Sequence, residues 1–156
     1  MKKIKNPFLG HEDYCCFACA PNNSIGLKME FVDEGDSLIC NWKPDDHFQG
    51  YKNILHGGIQ ATLMDEIASW FIYAKLGTGG VTSRMHTRHR KPVLTNKGDL
   101  KIKATLREQN SRIVSINAEI YNNDGSLGAT GIIDYFIMPV DQAVEELMFP
   151  GKDAFY

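Results

Sequence analysis

No uninterrupted apolar run in these 156 residues is long enough to cross a membrane or to act as a secretory leader. The opening Met1-Lys2-Lys3-Ile4-Lys5-Asn6-Pro7 leads into no such run. The most apolar stretch, Ile54 to Leu76, carries Asp65, Glu66 and Lys75 and is broken by Gly57 and Gly58. A cytoplasmic location without a membrane partner is expected. Excess basic charge is also missing: 17 Lys and Arg face 19 Asp and Glu, a formal net charge of -2, so nothing attracts nucleic acid globally. Cysteine is scarce. Of Cys15, Cys16, Cys19 and Cys40, the spacing Cys16-x-x-Cys19 is half of a zinc site, but no second Cys or His pair follows at a zinc-like interval, although His11 and Asp13 lie nearby. Neither a metal nor a cofactor is expected, and the thiols read as reduced cysteines in a loop. There is no internal repeat and no low-complexity tract.

What is present fits one domain over residues 1–156, with 43% apolar and 23% charged residues, ordinary values for a globular chain. Residues 1–24 lack a period and end in the turn-forming Ala20-Pro21-Asn22-Asn23-Ser24, so they read as an N-terminal loop segment. Alternating runs Gly26–Val32 and Ser37–Trp42 predict two strands around the turn Asp33-Glu34-Gly35-Asp36. After the polar loop Lys43–Gly50, apolar residues on nearly every face predict a helix from about Leu55 to about Leu76, stopped by Gly77 and Gly79-Gly80. Its polar stripe is Thr62, Asp65, Glu66 and Ser69. Period-two runs then recur before Pro92, over Leu100–Leu106, Val114–Ile120 and Leu127–Ile137, with a hairpin signal at Asn122-Asn123-Asp124-Gly125. A tail over residues 140–156 has room for one short helix, Asp141 to Met148. The layout is α+β, a long central helix wrapped by a curved antiparallel sheet of five to six strands.

The start of that helix carries chemistry. In "ILHGGIQATLMDE", Gly57 and Gly58 fall where helix N–H groups have no internal partner and meet the positive end of the dipole. Such donors stabilise a developing oxyanion by about 3–4 kcal/mol each. The same glycines also suit a tight loop-to-helix junction. Asp65 is either an exposed residue of the polar stripe or a partly desolvated carboxylate acting as base or nucleophile. Eight residues of helix put it roughly 12 Å from Gly57, whereas a reacting carbonyl lies within about 3 Å of both groups. If the two act together, they belong to different subunits of a homodimer.

The segment "FQGYKNILHGGIQATLMDE" resembles the hotdog-fold acyl-CoA thioesterases of the PaaI-like group, named for phenylacetyl-CoA thioesterase, in which His-Gly-Gly is followed by an Asp nine residues after the His. The likeness extends through "VTSRMHTRHRKPV" and covers about residues 15–139. It implies a hotdog fold, dimers sharing a continuous sheet, often tetramers, and hydrolysis of an acyl-CoA substrate. It further implies that the amide of Gly57 polarises the thioester carbonyl and that Asp65 comes from the other subunit. Gln49, one residue out of the commonest register, is the nearest match to a polar residue assisting the carbonyl. Thr82 is the nearest match to a hydroxyl that places water. Glu66 is the second candidate base, His56 is expected to position the loop, and Gly58 completes the motif.

The basic row Arg84, His86, Arg88 and Arg90 reads either as a solvated or subunit-facing surface or, in part, as a cradle for CoA phosphates, with Arg88, Arg90 and Lys91 the candidates. Two other functions compete with thioester hydrolysis. A non-catalytic acyl-CoA-binding protein would need the Gly57 amide but no desolvated Asp65. Hydratase chemistry on a related fold would use an Asp and His arrangement that this sequence lacks.

Overall fold

The computed structural model describes residues 1–156. Seven strands form one antiparallel sheet: β1 (Lys2–Lys3), β2 (Val32–Asp33), β3 (Ser37–Trp42), β4 (Gly80–His89), β5 (Leu100–Gln109), β6 (Ile113–Tyr121) and β7 (Leu127–Ile137). Their order across the sheet is β1-β2-β3-β5-β6-β7-β4. The strand count exceeds the expected five to six because the N-terminal segment contributes the two-residue β1. Helix α1 (Gly57–Phe71) lies against the sheet, touching β3 through β7. Its buried face is Leu63, Met64, Ile67, Ala68, Trp70 and Phe71, and the facing strands answer with Leu38, Cys40, Ile102, Ala104, Ile116 and Ile133. Gly131 on β7 lets the helix come close: a Cβ there would lie 3.1 Å from Met64 Sδ.

The helix reaches Leu76, as its apolar run predicts, but the last turn, Ile72–Leu76, widens to π geometry. It ends at Gly77, whose left-handed φ of 72 lets its N–H bond to Ile72 O. The first predicted strand is the main local correction. Only Val32–Asp33 pairs regularly, while Leu27 and Met29 donate their N–H groups to Phe17 O and Ala18 O in the N-terminal segment. Alternation there is real, since Leu27, Met29 and Phe31 are all buried. Lys28, however, takes a positive φ of 53, which breaks the pleat.

Both chain ends join the core instead of trailing from it. Ile4, Phe8, Ala18 and Cys19 are buried from the N-terminal side, Phe149 and Phe155 from the C-terminal side. Phe8, Trp70, Tyr73, Phe149 and Phe155 form one aromatic cluster with ring centroids 5.5–6.4 Å apart. The tail helix α2 spans Val140–Leu147, one residue earlier than expected. Beyond it, Tyr156 Oη donates to Asp33 Oδ2 at 2.6 Å, and Lys75 pairs with the same carboxylate.

Candidate active site

Helix α1 opens with a cap that separates the two glycine amides. His56 sits outside the helical region at φ -55, ψ 134, and its Nδ1 accepts the Gly58 N–H at 2.9 Å. Gly57 N–H is left with no acceptor in the chain. It is an orphan donor at the positive tip of the helix, where anionic groups bind.

Next to it, Gln60 is buried and fixed by its Nε2–H bond to Leu55 O at 2.8 Å. The Gln60 carbonyl oxygen then accepts from His89 Nδ1 at 3.0 Å. This orientation sets the tautomer: neutral His89 carries its proton on Nδ1 and leaves Nε2 unshared. The ring lies over the helix start, its Cε1 and Nε2 3.5 and 3.7 Å from where a Cβ on Gly57 would be. Tyr51, His56, Gly57, His89, Arg90 and Lys91 line a cavity of about 640 Å³ at this point. Of the candidates for CoA phosphates, Arg90 and Lys91 reach it and Arg88 does not. Arg84 is engaged elsewhere, pairing with Asp134 at 2.9 Å. Gln49 also lies outside the lining: its Oε1 accepts from Asn53 N–H at 3.0 Å, closing the turn before the helix.

Two turns further along α1, the Asp65 carboxylate accepts from Thr82 Oγ1 at 2.9 Å and from Tyr135 Oη at 2.6 Å. Tyr135 also donates to the Asp65 carbonyl oxygen at 2.7 Å. Burial, reinforced by the Asp65 charge, drives the Tyr135 hydroxyl far above the ordinary tyrosine range, so it remains a donor. Asp65 is thereby aimed by two hydroxyls from two strands.

The expected polar stripe divides here. Glu66 faces different neighbours: its Oε1 accepts from Trp70 Nε1–H at 3.0 Å and from Cys16 Sγ at 3.5 Å. Burial pushes its carboxyl up to about 7. Thr62 hydrogen-bonds its own helix at Gly58 O. The structure thus brings Thr82 to Asp65, and Arg90 and Lys91 to Gly57, while Glu66, Gln49 and Arg88 belong to neither group.

Gln60, His89 and Tyr135 were not singled out from the sequence. Tyr135 had a usable signal, since it is the one residue with a polar tip in the core-facing series Ala129, Gly131, Ile133, Tyr135. His89 and Gln60 had none, because their pairing spans 29 residues and two elements.

A single protomer holds two half-sites, a donor half at Gly57 and a carboxylate half at Asp65, about 12 Å apart along one helix. Strand β4 ends the sheet and pairs only with β7, so its outer edge is free along ten residues.

A long helix held in a curling antiparallel sheet, with a free amide at its start and an oriented carboxylate at its middle, defines a hotdog domain of the thioesterase type. Residues 52–129, half of the chain, match the family model of the Thioesterase superfamily, and the chain belongs to that superfamily. Among solved structures it is similar to zebrafish thioesterase superfamily member 2, with 24% identity, TM-score 0.64, and 71% of this chain and 82% of that one covered. It is also similar to a hypothetical thioesterase from Streptococcus pneumoniae solved with coenzyme A (23% identity, TM-score 0.65, coverage 72% and 87%). A Streptococcus mutans protein bound to acetyl-CoA shows the same likeness (19% identity, TM-score 0.63, coverage 72% and 90%). At these identities the likeness speaks for the fold. No curated protein sequence matches the chain significantly.

Proposed function

We propose that the protein hydrolyses an acyl-CoA thioester to the free acid and CoA, in active sites completed by a second copy of the chain. The thioester carbonyl oxygen accepts the Gly57 N–H at the positive end of α1, which stabilises the oxyanion as it forms. Asp65 of the partner subunit, held by Thr82 and Tyr135 of that subunit, takes a proton from water as the water attacks the carbonyl carbon, or attacks that carbon itself. The tetrahedral intermediate collapses by breaking the carbon–sulfur bond, and the proton taken from water passes to the departing CoA sulfur; after direct attack, water hydrolyses the acyl–Asp65 anhydride, which releases the free acid and supplies that proton. Arg90 and Lys91 at the mouth of the cavity supply charge for CoA phosphates. His56 caps the helix and keeps the Gly57 amide free.

The observation that carries this reading is the pairing of a Gly57 amide without an acceptor and an Asp65 carboxylate fixed by two hydroxyls, on one helix but too far apart for one carbonyl. The free edge of β4 supports the dimer, because joining two such edges continues the sheet. The CoA and acetyl-CoA bound by the two streptococcal neighbours support the substrate class.

The test is thiol release from short, long and aromatic acyl-CoAs by the wild type and by Asp65→Asn at matched folding. Turnover of some member, lost at least about a hundredfold in the variant, is expected for removal of a general base. CoA esters that bind both proteins equally without turnover would identify a binding protein and end the enzyme reading.

A further inference from the structure

We propose that Cys16, Cys19 and Glu66 bind one zinc ion, which ties the N-terminal segment to the middle of helix α1. The half-motif Cys16-x-x-Cys19 lacks a second pair in the sequence because its third ligand arrives from the helix, fifty residues further on. One ligand atom from each of the three residues lies within 4.8 Å of the others.

The spacing suits the metal. At about 2.3 Å for Zn–S and about 2.0 Å for Zn–O, a tetrahedral angle separates sulfur from oxygen by about 3.5 Å. Cys16 Sγ lies 3.5 Å from Glu66 Oε1. Two sulfurs and one carboxylate leave the fourth corner to water. Bound ligands also need partners that aim them, and all three have one. The Cys19 N–H donates to Cys16 Sγ at 3.4 Å, and Trp70 Nε1–H donates to Glu66 Oε1 at 3.0 Å. The Tyr14 hydroxyl sits 3.0 Å from Cys19 Sγ and is itself held by Asn6 Nδ2 at 2.9 Å.

Glu66 is half-buried beside Trp70 with no cation, since the ion pairs of the chain fall at Glu30, Asp45, Asp33, Asp134 and Glu108. Its oxygens are therefore not committed to a protein cation and are available to a metal ion. On binding Zn²⁺ each thiol releases its proton to solvent and two Zn–S bonds and one Zn–O bond form, with no change of oxidation state. The site is separate from the Asp65, Thr82 and Tyr135 cluster, so its failure and that of the thioesterase reading are distinguishable.

The test uses the full chain, purified under reductant, with metal content measured by mass spectrometry. Wild type and Cys15→Ser, which alters the exposed neighbour, are expected to retain one Zn²⁺ per chain; Cys16→Ser and Cys19→Ser are expected to retain none. Glu66→Gln keeps the side-chain shape and is expected to weaken zinc at least about tenfold. Replacing zinc with Co²⁺ in the wild type should give thiolate-to-cobalt charge-transfer absorption, and chelation should lower the melting temperature. These two wild-type readings decide the matter even if a cysteine variant fails to fold. Reduced wild type that takes up neither ion at micromolar concentration overturns the proposal, as does full zinc retention by folded Cys16→Ser. A Cys16–Cys19 disulfide formed in air by protein that takes no metal when reduced overturns it in favour of a redox pair.

Discussion

Tyr135, on β7, the last strand in chain order, donates its hydroxyl to the Asp65 carboxylate at 2.6 Å from seventy residues further along the chain. The same hydroxyl reaches the Asp65 backbone carbonyl, so one side chain fixes both the helix and the orientation of its acid. Tyr135→Phe removes this donor and leaves Thr82 as the only hydroxyl on the carboxylate. The expected result is a stability loss of about 1–2 kcal/mol by denaturant titration. In acyl-CoA hydrolysis kcat should fall about tenfold with KM nearly unchanged, because the substrate-binding half of the site is untouched. Equal kcat in the two proteins would remove Tyr135 from the mechanism.

Gly57→Ala tests the approach to the amide by narrowing it. The added Cβ meets His89 at 3.5 Å, ordinary contact, and alanine suits a helix, so the variant should fold as stably as the wild type. The added methyl narrows the space beside the N–H that a thioester must occupy, and thioester hydrolysis should drop by about two orders of magnitude. A fully active Gly57→Ala protein would move the oxyanion donor elsewhere.

Sharing of the site between subunits predicts complementation. Gly57→Ala and Asp65→Asn homodimers should both be inactive, whereas a mixed dimer regains one intact site out of two. Random reassortment of equal amounts makes half of the dimers mixed, so about a quarter of wild-type activity should return on co-refolding. Activity that stays at background would mean that each chain works alone or that the two residues do not cooperate.

Arg90 and Lys91 are expected to act on binding. The double substitution to alanine should raise KM for acyl-CoA with little effect on kcat, and should flatten the dependence of kcat/KM on salt. Arg88→Ala, outside the cavity lining, serves as the comparison and should change neither.

Asp134 gives a pH signature in stability. Ser115 Oγ donates to it at 2.6 Å and Arg84 pairs with it, and these hold its carboxyl below the ordinary range. A depressed folded-state value stabilises the protein above the unfolded value of about 3.9. That contribution fades as pH falls through the folded value. Asp134→Asn should therefore be less stable than wild type at pH 7 by about 1–2 kcal/mol, and the gap should close as pH falls through the depressed folded-state value. A gap that persists under acid conditions would assign the effect to packing.

Local pattern was enough to place the helix and most of the sheet. The mostly apolar run before Gly77, and the period-two alternation of Leu100–Leu106, Val114–Ile120 and Leu127–Ile137, follow from side-chain periodicities that a sequence displays directly. The glycines at the start of the helix and the acid two turns later were legible for the same reason, as was the conclusion that about 12 Å of helix separates them. Pattern misled where long-range contacts outweigh alternation. Gly26–Phe31 alternates yet bonds to Phe17 and Ala18 instead of a regular neighbouring strand, and residues 1–24 look like loop yet bury Phe8 and Cys19.

Only the tertiary structure decided what each polar side chain does. Asp65 and Glu66 are adjacent and chemically alike, but the rotation of roughly 100° between neighbouring helix positions sends the first to Thr82 and Tyr135 and the second to Trp70 and Cys16. His89 meets Gln60 and lies over Gly57 because β4 crosses the start of α1. A one-dimensional pattern carries the face on which a residue lies; the partner waiting on that face is set by how the sheet closes over the helix.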